Sequence, residues 1–280
     1  TGWELNIGWR DRLESGFSYD VSFVLSDYKA KITRFNNPEK LLFSGDKAQN
    51  YTGKQWGEIW GFVTEGLFQS EEEIKKHVDQ SEIYGGNWYP GDVKYKNLDG
   101  DDKISYGKNT ADDPGDRKVI GNSEPRYSYG IKADAQWKGF DLSIFFQGVG
   151  KKDVELSGNQ FWGFGNEWHV PFPHALDSWT EDNRNAYFPR STYDNVTGNR
   201  VTQTRYLQDA SYLRLKNLTI GYTLPKALLE RWKIDNIRLY MSGQNLLTFD
   251  HLFDIYDPET VNIGAYPLQK SISFGLNITL

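Results

Sequence analysis

The chain has 280 residues, of which 25% are charged and 15% aromatic, and its formal net charge at pH 7 is −6. This length is sufficient for a large core, and an acidic balance without a basic cluster argues against nucleic acid as a partner. The absence of cysteine excludes a disulfide scaffold and thiolate metal sites. No apolar run approaches the roughly 18 residues that a transmembrane helix needs.

Alternation of apolar and polar residues is the main structural signal in the chain. It predicts seven β-strands, at residues 2–10, 17–25, 126–137, 140–148, 212–224, 237–247 and 271–280. In the fifth strand, Leu218, Ile220 and Tyr222 alternate with small or polar residues, and Pro225 ends the pattern. The pair Lys138 and Gly139 predicts a two-residue hairpin turn.

Two short helical segments are also predicted. Ser70 followed by Glu73 forms a capping-box pattern before an apolar residue, which predicts a helix beginning there. Residues 227–232 predict one or two helical turns between the fifth and sixth strands.

The connections between the predicted strands alternate between short and long. The long ones are residues 26–124, 149–210 and 248–268. In an antiparallel meander this order places every long loop at one end, as in a transmembrane β-barrel with short periplasmic turns and long extracellular loops. The alternative is a soluble, aromatic-rich carbohydrate-binding or glycoside-hydrolase β-domain, whose strands would show the same alternation.

The phase of the alternation reverses within the fifth strand. Before Asn217, Leu213 and Leu215 share the face of that polar residue, while Arg214 and Lys216 fall on the apolar side. We predict either a β-bulge here or a placement of the two cations at the level of the lipid headgroups.

Several segments together resemble SusC-like (SusC/RagA) TonB-dependent transporters of the outer membrane. They are YLRLKNLTIGYTLP at 212–225, IWGFVTEGLFQS followed by EEEI at 59–74, PGDVKYKNLDGDDKI at 90–104, IGNSEPRYSYG at 120–130, WTEDNRNAYFPR at 179–190, and the closing strand within 266–280. They occur in the order found in the family and extend over nearly the whole chain.

This resemblance implies an all-β fold, namely the last strands of a plugged, roughly 22-stranded antiparallel transmembrane barrel with long extracellular loops. It implies that residues 1–280 are the C-terminal part of the barrel domain, and we expect the plug domain and signal peptide outside this sequence. It further implies a non-enzymatic importer of glycan or peptide oligomers in the outer membrane of Gram-negative bacteria. The implied partners are a SusD-like surface lipoprotein, TonB acting through an N-terminal part, and membrane lipid, with a dimer of SusCD pairs as the candidate assembly.

The acidic segment at residues 97–104 is a candidate calcium site, since alternating oxygen side chains suit a hard cation. The candidate ligands are the side chains of Asn97, Asp99 and Asp101, the carbonyl of Lys103, and Asp112 or Asp113. Two positions depart from an EF-hand loop, because Asp102 replaces its glycine and Lys108 its final glutamate. The alternative is a solvated acidic turn closed by Asx hydrogen bonds.

The second long loop is rich in aromatic residues that could stack on a substrate or partner. They are Phe161, Trp162, Phe164, Trp168, Phe172, Trp179 and Tyr187. The alternative for each is packing inside the loop's own core. The four histidines lack metal-binding spacing, and no catalytic motif is present, so we predict no enzyme activity.

Overall fold

The chain forms two compact units. The computed structural model describes residues 1–45, 47–84, 86–163, 168, 170–192, 198–261, 265–266 and 268–280. The sheet unit comprises Thr1–Lys29, Pro125–Lys152 and Asp209–Leu280, and the loop unit comprises Ala30–Glu124 and Asp153–Gln208.

Strands dominate both units. In chain order they are β1 (Gly2–Arg12), β2 (Ser18–Tyr28), β3 (Phe43–Ser44), β4 (Lys47–Ala48), β5 (Glu58–Phe62), β6 (Thr64–Leu67), β7 (Val93–Tyr95), β8 (Arg117–Asn122), β9 (Arg126–Trp137), β10 (Phe140–Lys151), β11 (Asp153–Glu155), β12 (Leu207–Asp209), β13 (Tyr212–Thr223), β14 (Asn236–Asp250) and β15 (Ser271–Thr279). The α-helices are α1 (Glu71–Lys76), α2 (Asn159–Trp162) and α3 (Lys226–Leu229), with 3-10 turns at Pro173–Leu176, Gly198–Arg200 and Glu230–Trp232. No helix within the described ranges is long and apolar enough to cross a membrane.

The sheet unit is one antiparallel meander of seven strands in the order β1-β2-β9-β10-β13-β14-β15. The alternation in the sequence predicts these seven strands, and the antiparallel all-β class is confirmed. Four strands extend beyond their predicted ends, to Arg12 in β1, Tyr28 in β2, Lys151 in β10 and Asp250 in β14, because backbone pairing with the neighbouring strand continues where the side-chain alternation has stopped. Within the described part of the chain, β1 and β15 each pair along one side only.

The short connections have simple local causes. Trp137 pairs with Phe140 across Lys138 and Gly139, whose φ angles of 48° and 87° give the hairpin turn that matches strand twist. The connection between β13 and β14 contains α3 followed by a 3-10 turn, so the predicted helical turns are confirmed.

The loop unit has a core of its own. Its fully or almost fully buried side chains include Leu42, Phe62, Phe68, Ile83, Val93, Tyr95, Ile104 and Phe161. Two-stranded ladders, β5 with β8 and β6 with β7, surround this core, and Phe62 exchanges backbone hydrogen bonds with Thr202 and Thr204. At about 1.5–3 kcal/mol for each large apolar side chain, the burial of these residues is a main stabilising contribution within this unit.

Helix α1 begins where the capping pattern predicts. The Ser70 side chain accepts a hydrogen bond from the Glu73 amide at 3.2 Å, and the Glu73 carboxylate accepts one from the Gln69 amide at 2.6 Å. The box therefore closes one residue earlier than the standard arrangement, in which the glutamate bonds the cap residue itself.

Candidate functional site

The strand register gives the seven-stranded sheet two chemically different faces. One face, called the apolar face here, carries apolar side chains on all seven strands. Its members include Trp3, Leu5, Ile7, Trp9, Val21, Phe23, Leu25, Ile131, Leu142, Ile144, Phe146, Leu218, Ile220, Leu239, Met241, Ile272, Phe274, Leu276 and Ile278. Many of them are exposed, with Ile7 at 57%, Ile220 at 42% and Phe274 at 80%.

The opposite face, called the polar face here, carries hydroxyl, amide and charged groups held in ion pairs. Arg238 of β14 donates to Asp141 of β10 at 2.9 and 2.6 Å, passing over Gly221 of the intervening strand. Arg10 and Asp20 pair between β1 and β2. The sheet thus presents apolar groups on one side and paired polar groups on the other.

A β-bulge at Lys216 explains the phase reversal in β13. Phe145 pairs with Asn217 and Phe146 pairs with Leu215, so Lys216 is the extra residue. The predicted bulge is confirmed, and it returns Leu215 to the apolar face. The expectation that Arg214 lies on the apolar side is wrong, because the bulge turns its side chain to the polar face.

Arg214 is buried on the polar face among acidic groups of the β14–β15 loop. Its side chain is 3% exposed and lies 2.6 Å from the Asp257 carboxylate and 3.0 Å from that of Glu259. Lys216 also pairs with Glu259 at 3.0 Å. These partners could not be predicted from the sequence. Arg214 and Asp257 lie 43 positions apart in the chain, and local residue spacing carries no information about contacts at that distance.

The acidic segment of the loop unit folds as a series of Asx turns. The Asn97 side chain accepts from the Gly100 amide at 2.6 Å, Asp99 from the Asp101 amide at 3.2 Å, and Asp101 from the Lys103 amide at 2.9 Å. These are the bonds of the solvated-turn alternative, and each uses one oxygen of its side chain.

The carboxylates that come together differ from those the sequence suggests. Asp99 and Asp101 lie with Asp116, and one ligand oxygen from each falls within 4.8 Å of the others. By contrast, Asp112 pairs with Lys40 at 2.9 Å, and Asp113 lies 3.7 Å from the Lys108 ammonium. Calcium binding by this segment stays a prediction, with Asp116 as the third carboxylate.

Asp116 is the buried member of this group. Its two oxygens accept from the amides of Leu98 and Ser105 at 2.7 and 2.8 Å, and its side chain is fully buried. Burial, and secondarily repulsion from Asp99 and Asp101, raises the pKa of the Asp116 carboxyl above its ordinary value. A cation beside the three carboxylates would relieve both effects.

A pair of glycines provides the sequence signal that could have revealed Asp116. Gly107 and Gly115 have φ angles of 53° and 60°, and a Cβ on Gly107 would lie 2.6 Å from the Asp113 carboxylate. This close backbone approach brings the segment containing Asp116 against the acidic turn.

The loop aromatics fall into different environments. Phe161 is fully buried and Trp179 is 8% exposed, so both belong to the core of the loop unit. Trp162 is half-buried with its ring edge-on to a neighbouring tyrosine, and Trp168 is 83% exposed. Phe164 lies outside the described residues. A role for these side chains in binding substrate or a partner stays a prediction.

Two of the resembling segments meet through a buried ion pair. Arg190, from the segment at 179–190, donates to Asp92 of the segment at 90–104 at 2.7 Å, and Asp92 is 3% exposed. Asn199 donates to the same carboxylate oxygen at 2.8 Å. Gly91 has a φ of 90°, and a Cβ there would lie 2.7 Å from Trp179 Cδ2, so this contact requires glycine.

The chain is similar to known proteins over almost its whole length. TonB-dependent receptor P3 of Formosa agariphila is 30% identical over 99% of the chain, and TonB-dependent receptor P26 of the same organism is 26% identical over 99%. Among solved structures, the RagAB peptide importer in its open-open state matches 100% of the chain with a TM-score of 0.67 at 21% identity. The RagAB peptide transporter matches 98% of it with a TM-score of 0.68 at 22% identity.

Over almost its whole length the chain is similar to part of a TonB-dependent receptor. It spans 28% and 29% of the two receptors, and 28% of each of the two solved chains. No family model matches the sequence. TonB-dependent receptors are outer-membrane proteins of Gram-negative bacteria and are not enzymes, so these relatives support the predicted localisation and the predicted non-enzymatic class.

Proposed function

We propose that this chain supplies seven adjacent strands to a closed transmembrane barrel that imports oligosaccharide or peptide oligomers. The observation that carries the proposal is the apolar face, which extends over seven strands and is largely exposed. A soluble β-domain would bury such a face, whereas a barrel turns it to lipid. The exposure of Ile220, Phe274 and Ile278, at 42, 80 and 51%, argues against the soluble alternative.

The two edge strands support closure with further strands. β1 and β15 each present one side of unpaired backbone groups among the described residues. Backbone groups without partners are costly in lipid, so a membrane-embedded sheet needs closed edges. The longer relatives contain enough additional chain to provide a barrel of about 22 strands with a plug.

In this barrel the polar face lines the lumen, and the three long connections lie on the cell surface. We propose that these loops bear on the cargo and on a SusD-like lipoprotein, in a complex that can form dimers of SusCD pairs. Energy would come from TonB through a part of the protein beyond these residues. The names of the relatives support these partners, since two are TonB-dependent receptors and the solved structures are of the RagAB peptide importer.

Uptake in the native bacterium tests the function and distinguishes the two cargo classes. The gene is deleted, and cells are supplied with fluorescent oligosaccharides or fluorescent peptides of matched size. We expect the deletion to abolish import of one class and to leave diffusion of monomers unchanged, and the complete gene should restore import. Undiminished uptake of both classes, or a complete protein that purifies without detergent, would contradict the proposal.

A further inference from the structure

We propose that residues 253–261, in the loop between β14 and β15, form a fixed inner wall of the transport route, held in place by Arg214 and Lys216. The inference rests on the proposed function, since the polar face becomes a lumen only in a closed barrel. It deepens that function by assigning positioning residues to the route.

The contacts form a connected network. Arg214 Nη2 lies 2.6 Å from Asp257 Oδ2, and its Nη1 lies 3.0 Å from Glu259 Oε1. Arg214 Nε donates to Thr248 Oγ1 at 2.9 Å, which orients the guanidinium from β14. Lys216 Nζ reaches Glu259 Oε2 at 3.0 Å. Two cations of one strand therefore hold two carboxylates of one loop.

The burial of this network separates it from ordinary surface ion pairs. The side chain of Arg214 is 3% exposed, and those of Asp257 and Glu259 are each 19% exposed. In the surface pair of Lys40 and Asp112 the corresponding values are 40 and 73%. A buried charge that loses its partner is strongly unfavourable, whereas an exposed pair contributes little. The loop is consequently held by contacts that are difficult to break one at a time.

The register shows where the loop lies. Tyr212 and Asp250 are the last pair of β13 and β14, and Arg214 lies two residues further into the strand, opposite Thr248. Asp257 and Glu259 follow the end of β14 in sequence, yet contact Arg214 within the sheet. The loop therefore folds back along the polar face instead of extending away from the strand ends.

The segment has a packed side and an open side. Leu252 and Tyr256 are each 8% exposed, and Asp257 Oδ1 accepts the Glu259 amide at 2.9 Å, which fixes a turn. Asp254 and Ile255 are exposed, the latter at 37%. In a barrel this places an acidic and a branched apolar side chain along the route of the cargo.

Cysteine labelling of the complete transporter in intact cells tests the wall. Thr248→Cys is the reporter, in a background freed of any other cysteine, because Thr248 is half-buried on the polar face and its hydroxyl accepts a hydrogen bond from Arg214. With a water-soluble maleimide carrying a bulky polymer, we expect slow labelling in the parent. The double variant Asp257→Asn/Glu259→Gln should label at least about fivefold faster, and Glu259→Gln alone should be intermediate because Asp257 still holds Arg214.

Asp141→Asn is the matched control, since it removes an arginine partner on the same face at the other end of the sheet. It should leave the labelling rate unchanged. Equal labelling rates in the parent, in the double variant and in Glu259→Gln would contradict the proposal that this loop is held as a fixed wall. Ile220→Cys tests the proposed function separately, because a lipid-facing thiol should stay unlabelled by the water-soluble reagent. Rapid labelling at that position would overturn the membrane barrel itself.

Discussion

At the residue scale, Asp116 governs the acidic turn of the loop unit. Its carboxylate joins the turn to the chain before β8 through two backbone amides, while Asp99 and Asp101 lie close enough to repel it. Burial raises the pKa of this carboxyl, because a buried charge destabilises the folded state. The two backbone hydrogen bonds act in the opposite direction and stabilise the charged carboxylate. The balance depends on pH and on cations near the cluster.

The raised pKa of Asp116 predicts a pH dependence of definite sign. The stability contributed by the neutral acid is complete below the ordinary pKa and is lost as pH rises through the raised value. We expect the amide protection of Leu98 and Ser105, corrected for intrinsic exchange, to fall as the pH rises above the ordinary value of 3.8 and passes through the raised pKa. Asp116→Asn should remove this dependence, and an unchanged dependence in that variant would contradict the assignment to Asp116.

The same measurement tests calcium. In the native chain at neutral pH, millimolar calcium should restore the protection of these two amides, because the ion offsets the repulsion among the carboxylates. Asp99→Asn should weaken the effect, whereas Asp112→Asn should preserve it, since Asp112 pairs with Lys40. If calcium does not change the protection of these amides in the native chain, the segment is a solvated acidic turn closed by Asx hydrogen bonds and not a calcium site.

At the element scale, the bulge at Lys216 allows β13 to keep one apolar face along its full length. Without it, the period of two would bring Leu213 and Leu215 to the polar face and Arg214 to the apolar one. One inserted residue therefore reconciles two stretches of sequence that have opposite phase.

Deleting Lys216 should therefore damage assembly far more than replacing it. We expect the deletion in the complete protein to abolish the folded, heat-modifiable form in outer-membrane fractions, because a buried arginine would turn to the lipid side. Lys216→Ala retains the bulge and loses one pair with Glu259, so it should still assemble. Equal amounts of folded protein from both variants would show that the bulge has no role in setting the phase.

At the scale of the whole molecule, charge and apolar surface are separated. The net negative charge of the chain lies in the loop unit, whereas the sheet unit is close to neutral and pairs its strand charges on one face. This separation suits a protein whose strands meet lipid while its long connections meet water.

Arginine substitution on the two faces tests this arrangement. Ile220→Arg places a cation on the apolar face and should cost about 2–4 kcal/mol if that position lies near the middle of the membrane. Thr219→Arg, its neighbour on the polar face, should be tolerated. Folding titrations of the complete protein into lipid vesicles measure both, and equal costs would argue against a lipid-facing surface at Ile220.

How far the sequence predicts this molecule depends on the range of the interactions. Alternation is local, so it locates the seven strands, and the phase break before Asn217 predicts the bulge. Alternation alone cannot decide whether β13 contains a bulge or whether Arg214 and Lys216 lie at the lipid headgroups, because the pairing register between β13 and β10 determines this. The partners of Arg214 depend on contacts between distant segments, and sequence spacing carries no signal for them. For Asp116 the sequence carries only an indirect signal, the glycines at 107 and 115. The resemblance to SusC-like transporters, by contrast, rests on several ordered segments, and the similar proteins found are TonB-dependent receptors.

Gly221 helps to determine the register of β13 with its two neighbouring strands. A slip by one residue would exchange the faces and is strongly opposed, but a slip by two preserves them and needs another obstacle. A Cβ at 221 would lie 2.6 Å from Asp141 Oδ2 and 2.7 Å from Arg238 Nε, so the ion pair spans β13 only where that strand has no side chain. A shift by two would bring Thr219 or Thr223 beneath the pair and break it. The glycine thereby selects one alignment among those that the apolar pattern alone would accept.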